Sequence, residues 1–321
     1  MKEESAGKQQ WPVLKPDDRR LTAGDGGRSV IAAADGVADE TLPEGGRPAR
    51  AASAFADLYR KPGDGIQYAS GNGQQLEAQI LHGEEVRSFE RHRGYVFVQT
   101  VRDGYTGWTA ETNLAELGVA PTHWVTAPRT FLYSGPDLKL PRSGYRSMGS
   151  LVTVTGEAET RGTRYLQLSD GTWMFAGHAA RLGELAADFV SVARRFLNTP
   201  YLWGGNTGFG IDCSGLVQLS MRMAGFDVLR DSDMQAATIG SPIDPGADHE
   251  NLKRGDLVFW RGHVGICEGP NASGELMLLH ANGATMDVTS EPLVQAIERI
   301  AHLFEAPIGV RRPRALSRSA A

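Results

Sequence analysis

Thr199-Pro-Tyr-Leu-Trp-Gly-Gly-Asn-Thr-Gly-Phe-Gly-Ile-Asp-Cys-Ser-Gly-Leu-Val-Gln-Leu-Ser-Met-Arg-Met-Ala-Gly225 decides how this chain of 321 residues is read. Its first half is glycine-rich, with Gly204, Gly205, Gly208 and Gly210 free to make tight turns. Its second half predicts a helix. Asp212 is placed to cap the start, Leu216, Val217, Leu219, Met221, Met223 and Ala224 form a largely apolar run, and Gly225 stands where a helix stops. Cys213 then falls in the first helical turn. Free backbone N–H groups and the positive end of the helix dipole favour a thiolate there, and a thiolate with a base nearby is a nucleophile. The plain alternative for a lone cysteine is a small, inert core residue.

A base for Cys213 has to be near in space rather than in sequence. His263 opens an apolar stretch directly after Gly262, and His280 closes the next one. If the two stretches are strands of an antiparallel pair, the rings stand side by side and His280 can fix the tautomer of His263. Nucleophile, base and orienting group are what acyl transfer needs. His82, His92, His123, His178, His249 and His302 are read as surface or structural. Cys213, His263, Cys267 and His280 also have zinc-type side chains. Along a strand, however, the steps from His263 to Cys267 span about 13 Å at roughly 3.3 Å per residue. Zinc ligands lie about 2.0–2.3 Å from the metal, so Cys267 is read as core and no metal or cofactor is expected.

The composition is that of a globular protein, 41% hydrophobic and 22% charged, and the length suits two or three domains. A net charge of −5 gives no electrostatic reason for a nucleic-acid or anionic-membrane partner. The 39 glycines and 16 prolines suit a loop-rich, β-rich chain. Two cysteines make no disulfide framework, and Met1–Gln10 lacks the apolar core of a secretory signal. A cytoplasmic location without a cleaved leader is therefore the expectation.

Residues 1–50 read as an extended arm with at most a short helix, ending in a linker at Pro43-Glu-Gly-Gly-Arg-Pro48. Phe55–Tyr59, Gln75–His82, Glu85–Glu90, Tyr95–Val101 and a closing segment at Trp108 read as strands, with turns at Pro62-Gly63, Gly71-Asn-Gly73 and Asp103-Gly104. They predict a small barrel over 51–118, and a weaker copy follows over 119–183. From 184 to 321 the order is a helix over Leu185–Leu197, the Cys213 helix, a loop at Arg230–Gln235, then antiparallel strands, an α+β arrangement.

Pro200-Tyr-Leu-Trp-Gly-Gly205, Asp212-Cys-Ser-Gly-Leu216, Gly255-Asp-Leu-Val-Phe259, Gly262-His-Val-Gly-Ile266 and Leu279-His-Ala281 together resemble the NlpC family of papain-like cell-wall peptidases. The two preceding repeats resemble bacterial SH3-like barrels, most clearly in Asp103-Gly-Tyr-Thr-Gly-Trp108. The resemblance implies Cys213 as nucleophile, His263 as base, His280 as orienting residue and the Tyr201 hydroxyl near the oxyanion. Two barrels ahead of the peptidase, with Arg230-Asp-Ser232 after the catalytic helix, are similar to the γ-D-glutamyl-L-diamino acid endopeptidases, which trim released murein peptides carrying a free N-terminal L-alanine. In that branch the matching positions for the ammonium are Glu77, Tyr105 and Asp231, with Ser232 and Ser214 on the peptide backbone and Asp212 beside the nucleophile. A buried ammonium does need opposing carboxylates. The implied partner is a small murein peptide, with neither nucleic acid nor membrane; oligomeric state and the choice between diaminopimelate and lysine are not encoded legibly. Two rival readings stay open: an amidase or acyltransferase using the same three residues, and a non-catalytic peptidoglycan-binding module.

Overall fold

A computed structural model of the chain describes residues 18, 20, 21, 45–62, 75–303 and 305–314. The short helix expected in the arm, most of the Pro43–Pro48 linker's first half and the turn at 71–73 lie outside the described residues.

The first barrel is an antiparallel seven-stranded sheet made of β1 (Arg47–Ala51), β2 (Phe55–Tyr59), β3 (Leu76–Leu81), β4 (Glu85–His92), β5 (Tyr95–Thr100), β6 (Thr106–Ala110) and β7 (Leu114–Ala115), in the order β3-β2-β6-β5-β4-β1-β7. Alternation puts Ala56, Leu58, Ile80, Val86, Val96 and Val98 inside. The barrel begins earlier than expected. Arg47–Ala51, read as the end of a linker, pairs with β4 and β7 as a strand, because Ala49 and Ala51 alternate into the core despite the flanking Gly and Pro.

The second barrel has a five-stranded sheet, in the order β10 (Arg142–Ser147), β9 (Arg129–Tyr133), β14 (Trp173–Phe175), β13 (Thr163–Leu168) and β12 (Val154–Thr160), and a three-stranded one, in the order β11 (Leu151–Val152), β8 (His123–Val125) and β15 (Ala179–Arg181). Its strands run from β8 (His123–Val125) to β15 (Ala179–Arg181) around Val125, Leu132, Val152, Leu166 and Met174. The short strand β10 (Arg142–Ser147) escapes a sequence reading because only its C-terminal end is buried.

The third unit is α+β. Helix α1 (Phe189–Arg194) is shorter than the span expected from apolar periodicity, since Asp188 caps it through the Val190 and Ser191 N–H groups and it unwinds before Pro200. Helix α2 (Cys213–Met223) starts and ends as expected, with Asp212 accepting from the Gly215 N–H and Gly225 at φ +90°. The stretch after Arg230, expected to be a loop, is a further helix, α3 (Ser232–Thr238); its buried Met234 inserts into the core of the first barrel. The glycine-rich loop holds a two-stranded pair, β16 (Asn206–Thr207) and β17 (Gly210–Ile211), and a six-stranded antiparallel sheet backs the unit, with β18 (Ser241–Ile243) at one edge, then β23 (Gly309–Arg312), and four further strands beyond it. Its members near the site are β19 (Leu257–Trp260), β20 (His263–Pro270), β21 (Leu276–Asn282) and β22 (Asp287–Pro292), followed by helix α4 (Leu293–Leu303).

One sheet face packs on α2. Leu216, Val217, Leu219 and Met221 meet Leu257, Phe259, Val264, Ile266, Leu279 and Ala281 in the largest core cluster, and truncating one of its leucines costs about 2–5 kcal/mol. The first barrel docks on the same helix through charge. Glu84, 4% exposed, takes guanidinium groups from both Arg102 and Arg222, and Gln218 donates to Asp103 at 2.7 Å. This docking carries β3 and the start of β6 to the mouth of α2.

Candidate active site

A cavity of about 320 Å³ opens between the first barrel and the α+β unit. Cys213, Tyr201, Glu77, Tyr105, Asp212, Ser214, Asp231 and Ser232, all singled out from sequence, line it, and Gly262 brings the loop before His263 to its edge. His263 and His280 do not line it; the chain enters β20, the strand of His263, after Gly262.

The head of α2 is built from polar contacts around Asp212. Its carboxylate accepts from the Gly215 N–H at 2.7 Å and the Gly204 N–H at 2.9 Å, so one side chain caps the helix and anchors the glycine loop. Gly204 sits at φ +75°, a conformation that favours glycine, and turns the loop against β3. Burying a carboxylate demands a cation. Arg230, 2% exposed, supplies it as a bidentate pair at 2.9 and 2.7 Å and also donates to the Ser214 hydroxyl. Asp212 and Ser214 therefore spend their hydrogen bonds inside this network. Arg230 was quoted from sequence only as a flanking residue. The signal for it was the buried capping aspartate itself.

The backbone N–H groups of Val264 and Ser214 act on the Cys213 thiol and favour its ionised form. The thiolate expected at a helix N-terminus is not the resting form. Burial, with Asp212 adding to it, pushes the Cys213 thiol up to about 12 and outweighs the two N–H donors. Burial likewise pushes His263 down to about 3, with His280 and Arg299 acting in the same sense. The resting pair is thus thiol and uncharged imidazole, and no hydrogen bond joins Sγ to the His263 ring in this state. Such bonds commonly tighten only around a substrate.

The histidines meet as expected from antiparallel strands, but diagonally. The register pairs Ile266 with Leu279, so Gly265 stands opposite His280, and its missing Cβ leaves room for the Leu278 side chain. His263 Nε2 and His280 Nδ1 are 2.8 Å apart. Beyond them, His280 Nε2 lies 2.7 Å from Glu291 Oε1, and Arg299 of α4 bonds the same carboxylate. Glu291 went unnoticed in the sequence, where a lone Glu in a polar strand gives no cue.

The far end of the cavity is acidic. Asp231 is the N-cap residue of α3 yet makes no capping bond; instead its Oδ2 accepts from the Tyr105 hydroxyl at 3.1 Å and from Arg20 Nη1 at 2.9 Å. Arg20 also bonds Asp18 and Asp233, so a cation from the N-terminal arm rests on these carboxylates. Arg60 pairs with Glu77 at 2.6 Å. The arm reaches the site because the Thr106 N–H holds the Arg20 carbonyl at 2.8 Å. Burial pushes the Asp231 carboxyl up despite Arg230 and Arg20, and burial with Asp231 and Glu77 pushes the Tyr105 phenol up. The Tyr201 phenol is raised by burial and by Cys213 and Asp212, so it keeps its proton; its hydroxyl has no hydrogen-bond partner among the described residues. Cys267 is fully buried in the sheet, and no cluster able to hold a metal is found among the described residues.

Residues 198–299 match the model of the NlpC/P60 family, and residues 68–114 match that of the bacterial dipeptidyl-peptidase Sh3 domain. A gamma-D-glutamyl-L-lysine dipeptidyl-peptidase of Bacillus cereus is 27% identical over 249 residues, which is 69% of this chain and 72% of that protein. Its namesake from Bacillus subtilis is 28% identical over 238 residues, covering 66% of this chain and 75% of that one. A solved NlpC/P60 family protein from Bacillus cereus ATCC 10987 superposes with a TM-score of 0.65 at 24% identity, over 83% of this chain and 99% of that chain.

Proposed function

We propose that this chain, which carries an NlpC/P60-family cysteine peptidase domain behind a bacterial dipeptidyl-peptidase SH3 domain, hydrolyses the γ-D-glutamyl–diamino acid bond of murein peptides with a free N-terminal L-alanine. The observation that carries the reading is the cavity's polarity: Cys213 at one side, and at the other an acidic end, Glu77, Tyr105 and Asp231, walled by the first barrel.

An ammonium at that end finds opposed carboxylates and a phenol oxygen. The second oxygen of Asp231, Oδ1, has no partner among the described residues and is open to it. The dipeptide L-Ala-γ-D-Glu then spans the cavity and brings its γ-carbonyl to Sγ. As Sγ attacks, His263 takes the thiol proton, so charge develops only in the transition state. The Cys213 backbone N–H and the Tyr201 hydroxyl donate to the oxyanion. His263 returns the proton to the leaving amine, and water hydrolyses the thioester to release the dipeptide. Ser232 bonds the peptide backbone, and Ser214, whose hydroxyl proton is committed to Asp212, can add only its remaining acceptor lone pair. The two Bacillus relatives carry lysine in their names. The requirement for a free N-terminus suits the dismantling of peptides already released from the wall.

The test is hydrolysis of L-Ala-γ-D-Glu-L-Lys and L-Ala-γ-D-Glu-meso-diaminopimelate, each with and without N-acetylation. The free peptides are expected to be cleaved, the acetylated ones not, and Cys213→Ala is expected to be inert. Equal turnover of acetylated and free peptides would remove the ammonium subsite from this reading, and cleavage by Cys213→Ala would remove the nucleophile.

A further inference from the structure

The hydrogen bonds behind Cys213 do not stop at the second histidine. His263 Nε2 meets His280 Nδ1 at 2.8 Å, and His280 Nε2 meets Glu291 Oε1 at 2.7 Å, with the Arg299 guanidinium on the same oxygen. His280 has no exposed side-chain surface, and Glu291 is about one-fifth exposed, so no water competes freely for these contacts. From this geometry we propose that Glu291 is a positioning residue that decides, through His280, which nitrogen of His263 is the base.

A carboxylate can only accept. Both His280 and Arg299 hold the Glu291 carboxyl below the usual range, so it is ionised across the neutral range. His280 must then carry its proton on Nε2. With one proton on the ring, His280 presents Nδ1 as an acceptor, and only a His263 protonated on Nε2 can fill it. His263 is left with a lone pair on Nδ1, the nitrogen free to take the thiol proton. Reversing the direction of the first bond reverses the whole row: a donor in place of Glu291 would put the protons on Nδ1 of both rings and leave His263 without a base toward the thiol. The charged and titratable groups that act on this row are Glu291 from β22 and Arg299 from α4. Nothing in the sequence around Glu291 marks it, which is why it is assigned from the fold.

The proposal rests on Cys213 and His263 acting as nucleophile and base, as in the function proposed above, but not on the identity of the peptide. Two measurements on the full chain keep the two apart. The first is alkylation of Cys213 by iodoacetamide, in which Sγ displaces iodide from carbon and His263 accepts the thiol proton. Glu291→Gln keeps the shape but offers both an amide oxygen and an amide donor to His280. It is expected to slow alkylation and kcat about 10- to 100-fold, as for other groups that orient a reactive residue from behind, with KM and thermal stability near those of the parent. Glu291→Asp, which retains the carboxylate, is expected to recover part of the loss. A purely structural role would instead lower stability and leave the alkylation rate per folded molecule unchanged.

The second measurement needs no variant: imidazole nitrogen shifts in histidine-labelled parent protein. Both rings protonated on Nε2 is the expected result, and a resting His263 protonated on Nδ1 would overturn the proposal. So would alkylation and turnover of Glu291→Gln equal to the parent. Slowed alkylation in that variant, from a parent that cleaves none of the murein peptides, would uphold the positioning role and sink the substrate reading alone.

Discussion

Asp231 shows how one residue's neighbours set its task. Burial raises its carboxyl, and Arg230 and Arg20 draw it back down. Removing Arg20 has two consequences with separate signatures. At pH about 8 and low salt the acidic end gains net negative charge, so KM for a free-amine peptide is expected to fall severalfold in Arg20→Ala, with no change for the acetylated form. As pH drops, the Asp231 carboxyl, now higher still, takes up its proton sooner. It binds an ammonium only when ionised, so the acid limb of 1/KM is expected to move to higher pH than in the parent. A KM that rises at all pH values would mean that Arg20 orders the site instead of competing for it. The same sign reasoning covers Cys213 and His263: burial pushes the thiol up and the imidazole down, which disfavours the charged form of each.

At the scale of elements, the head of α2 is pressed against the glycine-rich loop. A Cβ on Gly215 would lie 2.4 Å from the Gly205 carbonyl oxygen and 3.0 Å from Asp212 Oδ1, so the helix approaches the loop only with glycine there. Gly215→Ala is expected to cost about 1–3 kcal/mol by urea unfolding. It is also expected to lower kcat by displacing Asp212 and with it the Cys213 N–H; an unchanged midpoint and rate would show that the loop yields freely. The expectation that four glycines serve tight turns held in part: of Gly204, Gly205, Gly208 and Gly210, Gly204 alone has positive φ, and the others make room for backbone or side chains of neighbouring segments. Sequence pattern reports that a glycine is needed, and packing decides why.

At the scale of the molecule, the two barrels meet at His82. Its carbonyl accepts from the Leu151 N–H at 2.8 Å, and its ring nitrogen Nδ1 lies 3.0 Å from the carbonyls of Ala52 and Ser53. Burial, with Arg146 adding to it, pushes His82 down to about 4. The unfolded chain titrates near 6.5 and binds the proton first, so the contribution to stability is complete above that value and is lost as pH falls from 6.5 through about 4. The loss is at most on the order of 3 kcal/mol. Urea midpoints at pH 7.5 and 5 are expected to differ by less in His82→Gln than in the parent; an identical difference would place the acid sensitivity elsewhere.

Taken by itself, the sequence determined the helix that Cys213 opens, the strands that carry His263 and His280, most other strands and the succession of two barrels and an α+β unit. These follow from local rules: an N-cap three residues ahead of its donor, apolar alternation, glycine at a helix end. The resemblance of five short motifs carried the rest of the family assignment. Only the tertiary structure decided the protonation of Cys213, the pairing of Asp212 with Arg230, the row from His263 to Glu291, and Arg20 resting on Asp231 across 211 residues. The reason is physical. Desolvation and ion pairing depend on which groups share a buried volume, and residues brought together over such distances leave no periodicity or spacing in the chain.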